Sequence, residues 1–453
     1  MTLRTARTLL QPKDAVKWRV KNDTTERSID AVEAFHLANG AQYVRPGRRR
    51  LDLTVSIHVQ GEGDGDARAA WKALRMKHPA MASTVQGSKR VYNDRENDGN
   101  SFVEIESGEI TPQLLDSLPA PDIPTLYVLS NGNEKGRVFA LRTPQHLIDP
   151  LGAIMLLNDF LSLLHHTPTD DPGIKEKGKL SRSMKENASL PSASVAQLAR
   201  LWNIRRRWLR SFPSVGVVPD WDTQYEDEFP SSGASSWRDL TYSKGSSKEV
   251  VAKARKHGVS VTHVLHAGVA FAAKEYGPFT LTRNYSSLIL LDMRRRSPSQ
   301  GDGGKSGRGE EASSQHALWP VCVPVTSFWR TAEQFKNAYE ETVNDPDFLA
   351  LVEPALAETA QTVLPSECSV PVLSSCGVID DYLSEHNDLK VTDFSLSMEC
   401  SGDEIVVAVW SFQGRLRVRA LYNEGFHSGR SIERYLHLIQ LALRDGVGVS
   451  PFT

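Results

Sequence analysis

Gln145-His146-Leu147-Ile148-Asp149-Pro150-Leu151-Gly152 brings together a histidine, which exchanges protons near neutral pH, and a carboxylate that can orient it or pair with a cation. That is the residue set for general-base chemistry. Gln145 beside them only donates or accepts hydrogen bonds. Such groups act only on a rigid mount, and the flanks predict one. Arg137 to Thr143 carries Val138, Phe139, Ala140 and Leu141, the apolar run of a largely buried strand. Downstream, Ala153, Leu157, Phe160, Leu161 and Leu164 recur at helical spacing. Asp149 followed by Pro150 reads as an N-cap and first helical position, which puts the His/Asp pair at the positive end of a helix dipole.

The remaining elements fall into two groups. Before a polar stretch from Thr167 to Ser194 come a strand at about Asp52 to Val59, a helix with Ala67, Ala70, Trp71 and Leu74 on one face that stops before Pro79, and the motif strand and helix. After it come a helix at Ser260 to Ala273, a strand at Ser286 to Leu291 and a hairpin at Glu404 to Tyr422. In the second hairpin strand Leu416, Val418, Ala420 and Tyr422 alternate with Arg415, Arg417 and Arg419, which predicts one buried and one solvated face. A final helix, Ser431 to Arg444, presents Ile432, Tyr435, Leu436, Ile439 and Leu443, with Gly446 just beyond its end. Mixed strands and helices on both sides predict an α/β (α+β mixed) chain of two subdomains, residues 1–175 and 195–453, joined by a linker at 176–194.

Composition excludes several classes. Lys and Arg total 53 against 55 Asp and Glu, so the net charge of -2 sets up no field for nucleic acid. With 453 residues, 40% of them hydrophobic, the chain can bury large cores. Cys322, Cys368, Cys376 and Cys400 are spaced for neither a disulfide scaffold nor a zinc site. No run reaches the length of a signal sequence or membrane span, so the expectation is a cytoplasmic monomer with reduced thiols. Gly301-Asp302-Gly303-Gly304-Lys305-Ser306 ends like a phosphate loop but lacks its first glycine and reads as a polar surface loop. His263 and His266 share a helix face without a third ligand, so no metal is expected. His165-His166 at a helix end and Asp380-Asp381 in a loop read as solvated groups.

The motif resembles the H-x-x-x-D-G signature of CoA-dependent acyltransferases of the BAHD type, nonribosomal peptide condensation domains and, above all, the fungal trichothecene O-acetyltransferase-like proteins. Further residues carry the resemblance: His78-Pro79-Ala80-Met81, Val261-Thr262-His263-Val264-Leu265-His266-Ala267, Leu291-Asp292-Met293-Arg294-Arg295-Arg296, Val409 to Leu416 (VWSFQGRL) and Tyr422-Asn423-Glu424. Together they span roughly residues 15 to 445. The resemblance implies two chloramphenicol-acetyltransferase-like sandwich subdomains with a tunnel between them. It also implies a general-base histidine at the strand end and a structural Asp paired with an arginine.

The spacing departs from that signature. Four residues before Asp149 stands Gln145, not His146, while Asp149-x-x-Gly152 keeps the expected interval and a proline replaces the first glycine. The catalytic position therefore falls to Gln145, with His146 the alternative if the strand end shifts by one residue; alternation along a strand keeps both from facing one cavity. Arg294 and Arg296 are the candidate partners of Asp149. Trp410, Phe412, Ser395 and Ser397 are candidates to line the tunnel. The resemblance implies a fungal specialised-metabolism enzyme that acylates a hydroxyl of a terpenoid or polyketide-like small molecule, with no bound cofactor and acyl-CoA as co-substrate. The alternative is a cofactor-independent cyclase or pericyclase on the same fold, in which the Gln145 amide donates a hydrogen bond to a substrate carbonyl.

Overall fold

The computed structural model describes residues 13–21, 24–42, 51–61, 65–92, 101–106, 114–115, 117–130, 136–166, 179–220, 233–277, 283–296, 310–359, 368–383 and 389–449. It is a mixed α/β fold built on two large sheets. The first has five strands in the order Lys390–Met398, Asp52–Gln60, Gly136–Pro144, Thr125–Ser130, Phe102–Glu106. The motif strand Gly136–Pro144 is central, which explains its unbroken apolar run. Phe139 and Leu141 enter the core beneath helices Ala67–Lys77 and Pro150–His166, whereas Val138 and Ala140 pack with Leu115, Leu118 and Tyr127 on the other face. Helix Ala67–Lys77 is capped by Asp66, which accepts from the Arg68 and Ala69 amides, and it ends before Pro79.

The second sheet has six strands, His316–Pro324, Asn284–Asp292, Val372–Val378, Val406–Phe412, Arg415–Asn423 and Ser235–Thr241 in spatial order. Helices Val261–Tyr276 and Gly429–Val447 cover one face. Ala31–Gln42, Val195–Leu209 and Phe348–Thr359 pack near its His316–Pro324 edge. A four-stranded sheet of short strands lies apart from these two.

The strand Lys390–Met398 lies beyond residue 195 yet pairs antiparallel with Asp52–Gln60, so the later part of the chain completes the earlier sheet. This crossing overturns the expected solvated face of Arg415–Asn423. Arg417 donates to Asp393 and to the Phe394 carbonyl. Arg419 is only 2% exposed, donates to Ser395 Oγ and pairs with Asp239. The arginines alternate as expected and Arg415 stays exposed, but Arg417 and Arg419 meet the crossing strand.

Two further expectations are corrected. Gly446 lies inside helix Gly429–Val447, where a Cβ would sit 2.2 Å from the Phe328 ring; the helix instead stops at Gly448, in the left-handed region at φ 76°. The polar stretch after the motif helix is not a free linker in its described part, 179–194. Met184–Asn187 forms a helical turn, the Met184 amide donates to Asp30 Oδ2 at 2.7 Å, and buried Lys185 pairs with Glu353 at 2.6 Å. The segment around Gly304 lies outside the described residues. Asp380 and Asp381 are exposed, as expected, and Asp380 also accepts from the Gln413 amide at the hairpin turn. No helix among the described residues is long and apolar enough to cross a membrane.

His266 lies fully buried, stacked on Phe335 at 3.8 Å, and neither ring nitrogen has a partner among the described residues. Burial pushes its pKa down to about 3. The folded state thus holds it neutral while the unfolded chain protonates it below about 6.5. Stability is therefore lost as pH falls through that window, by about 1.4 kcal/mol per pH unit for one proton. His266→Phe is expected to reduce the acid slope of unfolding free energy between pH 6 and 4 by that one proton and to raise stability at pH 7. Urea unfolding across pH measures both, and an unchanged slope refutes the assignment.

Candidate active site

The chain between the motif strand and helix is a compact turn. The Leu147 and Ile148 amides both donate to the Pro144 carbonyl, and the Gln145 amide donates to the Leu51 carbonyl. Asp149 caps the helix through Oδ1, which accepts from the Gly152 amide at 2.8 Å. Its Oδ2 accepts from Arg294 Nη1 at 2.9 Å and from the Gln315 amide at 2.7 Å. Burial alone would raise the Asp149 carboxyl, but Arg294 and the imidazole of His316 outweigh it and hold the group well below the usual carboxylate range. Arg294 is 1% exposed and donates onward to the Ser313 and Glu310 carbonyls. The Asp149–Arg294 pair therefore ties the motif to the segment after Asn284–Asp292. Arg296, the other candidate, is exposed and turns to the Val343 carbonyl at 3.3 Å.

Beside this pair opens a cavity of about 540 Å³, within the range of small-molecule sites. Much of its wall is apolar, including Phe35, Leu288, Leu290, Leu318, Val406 and Phe426. Gln145, Asp149 and Arg294 line it, and His146 is not among its lining residues. His146 is buried at 4% exposure in the turn.

Gln145 is held firmly. Its Nε2 donates to the Asp52 and Glu399 carbonyls, each at 3.2 Å, one from the start of strand Asp52–Gln60 and one just past the crossing strand. Both amide hydrogens are thus used, and flipping the amide would set Oε1 against two carbonyl oxygens. The side-chain atom left for a ligand is Oε1, an acceptor. The cyclase alternative required an N–H donated from this amide, and this geometry leaves none.

The remaining candidates lie elsewhere. Trp410 and Phe412 share a face of Val406–Phe412 with Val406, but farther along, where the crossing strand covers them; Trp410 is 1% exposed with its ring edge-on to Phe394 at 5.7 Å. They are core residues, not cavity walls. Ser395 accepts from Arg419 at 2.8 Å, and Ser397 lines a separate cavity of about 100 Å³ with Asp52, Arg142 and Glu399. The polar groups that do line the large cavity include His36, Asp292, His316, Ser374 and Glu404. None belongs to the sequence motif, and a lone histidine in the helix Ala31–Gln42 or at the head of a strand carries no recognisable pattern. Among the described residues no cluster of three or more His, Cys, Asp or Glu could hold a metal ion.

No family model matches the chain. The chain is 21% identical over 407 residues to O-acetyltransferase pigM of Monascus ruber, an alignment covering 84% of this chain and 76% of that protein. It is 23% identical over 457 residues to acetyltransferase pigO of the same organism, covering 94% and 96%. Among solved structures, TRI3 trichothecene 15-O-acetyltransferase from Fusarium sporotrichioides superposes with a TM-score of 0.77 at 13% identity, covering 96% of this chain and 99% of that one.

Proposed function

We propose, from the chain's likeness in sequence to fungal acetyltransferases and in fold to the trichothecene acetyltransferase, that it is an O-acyltransferase of fungal specialised metabolism. It moves an acyl group from CoA to a hydroxyl of a terpenoid or polyketide-like small molecule. The observation that carries this reading is the apolar cavity of about 540 Å³ at the motif turn, with the Asp149–Arg294 pair in its wall. The acetyltransferase relatives support the reaction class. An apolar wall suits a lipophilic acceptor, and Oε1 of Gln145 can accept from the acceptor hydroxyl and so aim its oxygen lone pair. The hydroxyl oxygen then bonds the thioester carbon, the C–S bond breaks, and the sulfur leaves as the thiol carrying the proton. Gln145 cannot take that proton; it positions the hydroxyl.

Thiol release from acetyl-CoA in the presence of a panel of cyclic secondary alcohols tests the reading. Alcohol-dependent release is expected, and Gln145→Ala is expected to lower kcat/KM about tenfold, the worth of one hydrogen bond near 1.4 kcal/mol. Conversion of a linear precursor to a product of equal mass, with no requirement for CoA, would refute acyl transfer.

A further inference from the structure

His36, on the helix Ala31–Gln42, and His316, the first residue of His316–Pro324, both line the large cavity, and their Nε2 atoms lie 3.1 Å apart. On the far side of His316, Nδ1 stands 3.8 Å from Asp149 Oδ2. Two neutral imidazoles in hydrogen-bond contact share one proton, so one ring donates and the other accepts. With an ionised carboxylate on its Nδ1 side, His316 carries its proton there and offers the Nε2 lone pair, and His36 donates from Nε2. His36 Nδ1 is then a lone pair with no protein partner among the described residues, on a side chain that lines the cavity.

We propose that His36 and His316 form a proton relay that serves as the base of the acyl transfer in place of a motif histidine. This rests on the acyltransferase reading above. The acceptor hydroxyl, first aimed by Gln145 Oε1, turns its single hydrogen to His36 Nδ1; the O–H breaks as the proton passes to that nitrogen and its electron pair forms the new C–O bond. The Nε2 proton of His36 moves to His316 Nε2. When the C–S bond breaks, the protons return along the same path and the sulfur leaves as the thiol. No further reactant is needed.

The relay resolves a difficulty with His36 alone. Burial first, then His316 and His146, push its pKa well below the ordinary histidine value, so it is poorly suited to hold a positive charge. In the relay the charge comes to rest on His316, beside the Asp149 carboxylate. Arg294, bonded to that same carboxylate oxygen, opposes the charge, as does His146 near His36. Asp292, 3.7 Å from Arg294, offsets part of the arginine's field.

Acetyl-CoA and the alcohol panel supply the assay. His36→Gln and His316→Gln are each expected to lower kcat about 100-fold with little change in KM, the scale of general-base catalysis. The double variant should be no slower than either single one, because the pair acts as a unit. Free imidazole should restore part of the rate to His36→Ala, which no purely structural loss would allow, and this arm decides the matter should His316→Gln fail to fold. His257→Gln, stacked on Trp329, serves as the control and keeps the wild-type rate. Wild-type turnover with both glutamine variants fully active overturns the relay and leaves the acyltransferase reading standing, and loss of activity in His146→Ala alone would return the role to the motif. Wild-type protein that releases no thiol with any alcohol overturns the reading and the relay with it.

Discussion

Arg294→Met is expected to destabilise the fold by about 3–5 kcal/mol, the range for removing one partner of a buried ion pair. The substitution keeps the length of the stem but leaves the Asp149 carboxylate, 3% exposed, without its cation. The Gln315 and Gly152 amides remain, so the loss falls short of a naked buried charge. The pH dependence has a definite sign. Asp149 titrates well below its ordinary value in the fold, so its contribution is present above about pH 4 and is lost as pH falls. The gap between wild type and variant therefore narrows in acid. Arg294→Met combined with Asp149→Leu should recover much of the loss. Urea unfolding at pH 7 and pH 3 measures these effects, and a loss under about 1 kcal/mol at pH 7 would show that the pair is not the lock described above.

Gly152→Ala is expected to damage both stability and activity. A Cβ there would lie 2.3 Å from the Glu311 carbonyl oxygen, 2.9 Å from Arg294 Nη2 and 3.1 Å from Ile148 Cγ2. A backbone oxygen cannot swing aside as a side chain can, so the segment after Glu310 must move. That segment carries Ser314, whose hydroxyl donates to the Gln145 carbonyl, and Gln315, whose amide donates to Asp149. Overpacking of this kind costs about 1–3 kcal/mol, and misplacing the turn by an ångström costs about 100-fold in rate. Thermal unfolding and the alcohol-dependent thiol assay together check it; a variant of wild-type stability and rate would show that the segment yields freely.

The elements around the site were legible because local patterning and burial agree there. Val138 to Leu141 read as a strand buried on both faces and lies centrally in its sheet, while Asp149-Pro150 read as a helix start and caps one. Asp149 and Arg294 could be paired on paper only through a resemblance, since nothing in 145 residues of separation specifies a contact. His36 and His316 were invisible for the same reason, 280 positions apart and without spacing, caps or neighbours that set them off. Trp410 was misplaced because alternation gives a residue's face but not what covers that face. Arg417 and Arg419 differ from the expectation for the same reason: period two is right and Arg415 is exposed, but the strand that covers the other two comes from elsewhere in the chain.

That crossing strand has a consequence for how the protein is made. Strand Asp52–Gln60 is an interior strand only once Lys390–Met398 has been added beside it. On the ribosome the partner is synthesised roughly 340 residues later, which at 5–20 residues per second is roughly 20 to 70 s. From the point at which Gly136–Pro144 has been made until that partner arrives, the nascent first sheet has an open edge of unpaired amides and carbonyls, a template for pairing with other chains. The Glu399 carbonyl that helps hold Gln145 arrives with the same late segment. The earlier half therefore depends on the later one to close its sheet and to finish the turn that carries its motif, and a ribosome that stops short releases a chain with a sticky edge and an unassembled site.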